Sequence, residues 1–502
     1  MAEVPQANDL IELALPVLEA RHAEFWLVGG WVRDYLLGRP THDVDFVMPE
    51  GAIATARQVS DAVGGAFVVL DVERDTARVV VGPPGASIYM DFAGLRGPTL
   101  DADLWARDFT VNAMAVPAED WQAPEHAIID PTGGRADLRE GLLRAVTPEA
   151  FREDPLRMLR AVRLGAGLGF EIESQTAAWI YRDAELLDAV SRERVRDELA
   201  QLLGLPGVAH SLRQLEELRL LGQVMPEVDR LGALPLAGRG GANVLEHSVT
   251  TVDLAEKVLA WLGSGRAGEL NWPGQRLEEA LGPYREHLNS HMQGVLPGGR
   301  SAAQLYILAA LLHDVGKGVA IEGSSEGRLL NHEVLGASIA ATIMRRLCFS
   351  SAETVRVRLS VRNHMRPGQL VQEGEAPSRR AIYRFFRDTE PAGPDTILLS
   401  LADHLATRGP ALDPDHWRRH LSVSRALLHA YYEERHEIID PHLVIDGHSL
   451  MTELNLAPGP RVGALLDSIR EAQAAGEVST REQALSLARD LMQRNAPLRD
   501  ER

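Results

Sequence analysis

A single cysteine, Cys348, serves 502 residues, which excludes an intramolecular disulfide and any zinc site built from several thiolates. Nothing in the chain therefore argues against a reducing compartment, and a cytoplasmic location is expected. The N-terminus lacks the apolar core of a secretory signal, and no uninterrupted apolar run is long enough to span a bilayer, so no membrane partner is expected. Net positive charge is lacking too. At −19 the chain has no overall basic field for phosphates, although net charge is silent about local patches. Short-period repeats and low-complexity tracts are also missing. What is present is the balance of a globular protein, 45% hydrophobic and 25% charged, in a length that calls for roughly three or four domains.

Residues 1–140 read as mixed α/β. "FWLV", "VDFVM", "FVVL", "ARVVV" and "SIYMDF" are short apolar or alternating runs separated by Gly, Pro and Asp, as strands are. From Thr147 onward strand signals nearly vanish, and stretches rich in Leu, Ala, Arg and Glu carry apolar residues at helical spacing. Turn-rich "GSGRAG", "NWPG" and "LPGGR" mark residues 262–300 as the segment of weakest order, and "VQEGEAPS" (371–378) reads as an exposed acidic loop.

Two stretches near the N-terminus carry chemistry. In "FWLVGGWVRDYLLG" (25–38) a strand ends at Val28, Gly29 and Gly30 allow close backbone approach, and a helix begins near Trp31 or Val32 with Gly38 as its stop. In "THDVDFVM" (41–48), Asp43 and Asp45 lie two apart on a strand and project to one face. Two converging carboxylates repel unless a cation sits between them, and magnesium prefers a few carboxylates plus substrate phosphates. A helix N-terminus after a glycine turn is an anion site. Together they suggest phosphoryl transfer. Taken alone, a DxD at a strand end is equally a turn or a solvated edge.

Further along come "RDFTVNAMA" (107–115), "DPTGGRADL" (130–138) and "FREDPLRMLRAVRLGAGLGF" (151–170). In this order the motifs resemble the class II tRNA nucleotidyltransferases, the CCA-adding enzymes and bacterial poly(A) polymerases, over residues 20–205. The resemblance implies that Gly29, Gly30, Arg33 and Asp34 lie by the incoming triphosphate, and that Asp43 and Asp45 hold two Mg2+ ions. These ions would activate the primer 3′-hydroxyl and neutralise the leaving pyrophosphate. It implies that Arg107, Asp108 and Asn112 shape the sugar and phosphate pocket, and that Glu153, Asp154 and Arg157 match the motif whose Asp and Arg read the incoming base. The residues themselves agree: Asp154 before Pro155 is a good helix start, Arg157 lies one turn on, and Arg160 and Arg163 extend a basic stripe. The same pattern alone would equally be a surface salt-bridge helix. Asp91 in "IYMDF" is a possible third carboxylate or an edge-strand aspartate.

The sequence departs from the family in two places. Ala106 stands where an arginine commonly precedes the "RDFT" arginine. The connection "FAGLRGPTLDADLWA" after Asp91 is short, whereas members that add all of CCA carry a longer flexible loop there. The short form resembles the CC-adding enzymes.

A second constellation follows: His247 in "EHS", His313 and Asp314 in "LLHDVGKG", His332 in "NHE", His364 in "RNH" and Asp403 in "LADH". Imidazoles and carboxylates meeting from separate helices suit a divalent transition metal, a dinuclear site or Mg2+. The set resembles the HD-domain metal phosphohydrolases. That implies His247, His313, Asp314 and Asp403 as ligands, His332 and His364 at a second metal position, and Lys317 near a phosphate. The gap from His247 to His313 is long for that family, which implies an insertion. His448 reads as a turn histidine.

Local arginine on helices, in "RMLRAVR", "SRERVRDEL" and "SRRAIYRFFR" (378–387), is expected to make salt-sensitive contacts to RNA, with Tyr383, Phe385 and Phe386 as core. The expected architecture is multidomain α/β plus all-α: a nucleotidyltransferase head with a small mixed sheet (1–140), a helical base-selecting and RNA-binding neck (141–235), a helical HD domain (236–410) and a helical tail (411–502). The expected activity is addition of C residues to the 3′ end of tRNA from CTP, with a phosphatase or phosphodiesterase at the HD site. Full CCA or A addition using ATP, poly(A) synthesis, and an HD phosphohydrolase with a non-catalytic RNA-binding head remain as alternatives.

Overall fold

The computed structural model describes residues 7–21, 24–41, 43–82, 87–235, 243–266, 268–322, 331–372 and 376–493. Residues 373–375 of the acidic stretch lie outside them. The chain divides into two compact units, residues 1–191 with 217–223 and residues 192–216 with 224–502. No helix among the described residues is long and apolar enough to cross a membrane.

The first unit is built on β1 (Trp26–Val28), β2 (Asp43–Met48), β3 (Ala66–Asp71), β4 (Thr76–Val81), β5 (Ile88–Gly94) and β6 (Ala115–Pro117), in the order β3-β4-β5-β2-β1-β6. β2 and β5 run parallel and the other neighbours antiparallel. Alternation along the strands divides the sheet into two faces. Val44 and Phe46 of β2, Met90 and Phe92 of β5, and Ala77 and Val79 of β4 share the buried face, where the rings of Phe46 and Phe92 stack with centroids 5.0 Å apart. The helices Ala7–Glu19 and Ala52–Val63 pack there through Leu10, Ile11, Ala14, Ala56 and Val59. Asp43, Asp45 and Asp91 are left on the opposite face. Strand β6 is only three residues long, too short for its sequence to announce it.

The second unit is helical. Its centre is the helix Ala302–Leu312, almost wholly apolar and started by a capping box between Ser301 and Gln304. It packs against Val244–Ser264 and Gly393–Arg408. Residues 262–300, expected to be weakly ordered, instead include helices Asn271–Leu281 and Arg285–Gln293. Pro273 falls in a first helical turn, where a missing N–H is tolerated, and its carbonyl accepts from Trp417 Nε1 at 3.2 Å. Leu277, Leu281, Leu288 and Met292 are buried. Beyond residue 440 a small separate core forms around Leu450, Leu465 and Ile469.

Candidate active site and metal centre

Sheet register builds the head site. Asp45 stands opposite Val28 of β1 on one side and Asp91 of β5 on the other, and Arg78 of β4 stands opposite Asp91. Asp91 is thus a neighbour of the Asp43–Asp45 pair on an interior strand, not an edge residue. Burial, and then the charge of Asp91, push the Asp45 carboxyl up to about 6, against the pull of Arg107. A carboxylate raised first by burial and then by a neighbouring carboxylate is a group that a hard divalent cation would relieve, so the residues fit the ions the resemblance implies. Gly29 closes the site from below. Its φ is 71°, and a Cβ there would stand 3.0 Å from Asp45 Oδ2 and 3.3 Å from Arg107 Nη1.

Around this row runs a chain of polar contacts. In the helix Gly30–Leu36, Arg33 donates to Asp34 at 2.8 and 2.9 Å and to Asn112 Oδ1 at 2.7 Å. Asn112 Nδ2 donates to Asp108 at 3.2 Å, and Arg160 Nε donates to the other Asp108 oxygen at 2.6 Å. Burial would raise Asp108, but Arg160 and Asn112 hold its pKa below the ordinary value. The motif residues Arg33, Asp34, Asp108, Asn112 and Arg160 are therefore one network. Arg107 donates through Nε and Nη2 to Asp103 at 3.0 and 2.9 Å. Asp103 is buried, and the sequence reading missed it; its i,i+4 spacing to Arg107 was the available signal.

The expected base-reading pair looks different in detail. Asp154 does not open a helix directly: its Oδ1 accepts from Leu156 N at 3.2 Å in a turn, and the helix Arg157–Leu168, which also carries Arg163, starts three residues later. Arg157 donates to the carbonyls of Ala106 (3.0 Å) and Ala150 (3.2 Å) and to Glu153 (3.3 Å). Its fork is tied to the backbone of Ala106, just before "RDFT", and of Ala150.

In the second unit the six expected residues converge. His247 Nε2 lies 3.3 Å from His313 Nε2, 3.4 Å from Asp314 and 3.2 Å from Asp403. His313 Nε2 is 3.3 Å from Asp314 and 3.6 Å from Asp403, and His332 Nε2 is 3.5 Å from Asp314. The ligand atoms fall into three overlapping groups: His247–His313–Asp314, His313–His364–Asp403 and Asp314–His332–His364. His313 and His364 each donate Nδ1–H to a carbonyl, of Ala310 at 2.8 Å and Val361 at 2.7 Å. Carbonyls only accept, so these bonds fix the tautomer and turn the Nε2 lone pairs inward. Burial lowers His313, but Asp314 more than offsets this, so its pKa rises. Asp314 and Asp403 are held well below the carboxylate range despite burial, by His313 and His247 respectively. Burial and the neighbouring His313 bring His364 down to about 4. So many acceptors around so few protons is a donor set that a divalent cation satisfies. Gly316 permits close approach to the helix His332–Arg346, since a Cβ would fall 2.0 Å from the His332 carbonyl. Lys317 is ion-paired with Asp314.

The arginine-rich helix Arg379–Thr389 has acidic partners in the tail. Arg380, Arg384 and Arg387 all pair with Glu471 of the helix Pro460–Ala474, and Arg380 also with Glu477. These pairs dock the helix on the tail. Tyr383, Phe385 and Phe386 are core.

The profile of the family described as "Poly A polymerase head domain" matches residues 25–144, and that of "HD domain" matches residues 244–408. A CC-adding tRNA nucleotidyltransferase of Geobacter sulfurreducens is 34% identical over 96% of this chain and 95% of its own length. An A-adding tRNA nucleotidyltransferase of Deinococcus radiodurans is also 34% identical, over 91% and 93%. Among solved structures, a CCA-adding enzyme in an apo form shares the fold at 19% identity with a TM-score of 0.60, covering 95% of this chain and 92% of that one. With this identity sustained along nearly the whole length, the chain belongs to the class II tRNA nucleotidyltransferases, the family of CCA-adding enzymes and bacterial poly(A) polymerases, and carries an HD domain.

Proposed function

We propose that this enzyme adds the two cytidines of the CCA end to tRNA from CTP. The observation that carries the reading is the connection from β5 to "RDFT". It is short and closed on itself: Arg96 N donates to Asp103 Oδ1 at 3.1 Å, Thr99 caps Ala102 N at 3.2 Å, and the same Asp103 holds Arg107. A segment tied this way to the pocket floor resists the rearrangement needed to accept first a pyrimidine and then a purine. In this reading the head comprises residues 1–140, the base-selecting neck 141–235, the HD domain 236–410 and the tail 411–502. Asp43 and Asp45 hold Mg2+, which when bound supplies charge for the primer oxygen and the pyrophosphate. Arg33 and Arg107, beside the Gly29–Gly30 turn, take the triphosphate. Asp154 and Arg157 read the base, Arg157 exchanging its backbone acceptors for the base edge.

The test offers the protein tRNA transcripts ending before CCA, after C and after CC, with CTP or ATP and Mg2+. Two cytidines and no adenosine are expected. Adenosine on the CC primer would overturn the CC reading in favour of A or full CCA addition, and long A tails on unstructured RNA would point to a poly(A) polymerase. For the HD cluster, a transition metal on the imidazoles and hydrolysis of a phosphate ester are the proposed chemistry. Phosphatase and 2′,3′-cyclic phosphodiesterase assays of wild type against Asp314→Asn test it.

A further inference from the structure

We infer that Arg78 is a positioning residue for the head carboxylates, clamping Asp91 and thereby weakening divalent-cation binding by the nucleotide-free enzyme. The inference rests on the reading of Asp43 and Asp45 as metal ligands. Arg78 Nε and Nη2 each donate to a different Asp91 oxygen at 2.7 Å, a two-pronged pair with both geometry and charge fixed. The guanidinium also lies over the Tyr89 ring, 4.9 Å from its centroid, and Tyr89 is the ladder neighbour of Asp43. Arg78 is therefore held from two sides on the face that carries the catalytic pair.

The row across β4, β5 and β2 reads Arg78, Asp91, Asp45, a cation and two anions on strands spaced about 4.8 Å apart. Without Arg78, Asp43, Asp45 and Asp91 would be three carboxylates on one face, and a divalent cation would be drawn in without nucleotide. With it, Asp91 is ion-paired and its oxygens are turned toward the guanidinium. The bare site then offers chiefly Asp43 and Asp45, and needs the triphosphate to complete the coordination. Arg78 thus couples metal entry to nucleotide entry. A purely structural β4–β5 ion pair would affect stability and leave metal affinity unchanged.

The experiment titrates full-length, nucleotide-free protein with Mn2+, reading free ion by electron paramagnetic resonance. The head site is counted as the binding that Asp45→Asn removes, which sets the HD cluster aside. Arg78→Gln is expected to tighten this site about tenfold, and the double variant Arg78→Gln with Asp91→Asn to bring it back to within about twofold of wild type. Arg78→Lys keeps the charge but loses the two-pronged grip; it is expected to tighten the site about threefold and carries the test if Arg78→Gln does not fold. Unchanged or weaker binding in the single variants overturns the inference. So does tightening that persists in the double variant, because Asp91 would not be its route. If Asp45→Asn removes no Mn2+ binding from the wild-type protein, it is the reading of the head ligands that fails.

Discussion

The head gathers its acidic groups on adjacent strands of a sheet, half-exposed and answered by arginines. The HD domain gathers four imidazoles and two carboxylates from several helices, nearly all buried, with His313 and His364 oriented by carbonyls behind them. The contrast fits what each site would do with a metal in the proposed reading. Oxygen ligands on an open face suit an ion that arrives and leaves with a nucleotide triphosphate. Imidazoles in a buried pocket, two of them with fixed tautomers, suit an ion that stays. The two sites should therefore fail independently. Asp45→Asn is expected to lower nucleotide addition by roughly 10³-fold or more, a loss of several kcal/mol of transition-state stabilisation, while bound metal measured after dialysis is unchanged. Asp314→Asn should do the reverse, emptying the metal centre and sparing primer extension. Loss of both properties in either variant would break the comparison.

Next in size is a test of what holds the HD pocket together. Asp395 is buried and accepts from Arg356 at 2.8 Å through both oxygens and from His291 at 2.9 Å. Burial alone would raise its pKa, but His291 and Arg356 bring it below the ordinary value. A folded-state pKa below the unfolded one means stabilisation present above about pH 4 and lost as pH falls through the folded value. Asp395→Asn leaves Arg356 buried without its anion and is expected to cost about 3–5 kcal/mol. It should also flatten the decline in stability below pH 4 that chemical denaturation records for the wild type. An equally steep decline in the variant would assign it to other carboxylates.

How much of this was legible in the sequence also differs between the two regions. Asp43 with Asp45, and His313 with Asp314, are local signals, and the strand and helix around each were readable from apolar spacing. The partners brought by register were not. Nothing near Arg78 says that it will face Asp91, because the β4–β5 pairing that joins them is decided by the sheet as a whole. The helices at 271–293 were hidden by Gly and Pro, whose turn propensity gave way to the burial of Leu277, Leu281, Leu288 and Met292. The shared acidic partner of the arginines in "SRRAIYRFFR" was not legible either, because Glu471 lies far along the chain.

Smaller effects probe the backbone under the head site. Gly29 has φ 71° and ψ −130°, a region that side chains avoid at a cost of about 1–3 kcal/mol. Gly29→Ala would also push on Asp45 Oδ2 and Arg107 Nη1. Expected are a drop in melting temperature and a fall in kcat for CTP incorporation, with the HD metal content retained. Wild-type kcat in this variant would show that the turn tolerates a Cβ and does not aim the carboxylate.

The smallest expected effect lies at the tail. Glu471 is the common partner of Arg380, Arg384 and Arg387, whose side chains are 39–49% exposed. Such pairs are screened by solvent and give about 1 kcal/mol or less even when several share one anion. Glu471→Ala should therefore loosen the tail without unfolding the protein, seen as faster limited proteolysis after residue 440. Arg384→Ala should do the same and leave tRNA affinity at physiological salt unchanged, because its charge is already answered within the protein. A marked loss of tRNA affinity in Arg384→Ala, with normal tail proteolysis, would return this helix to the RNA surface and leave the tail to be held by its apolar contacts alone.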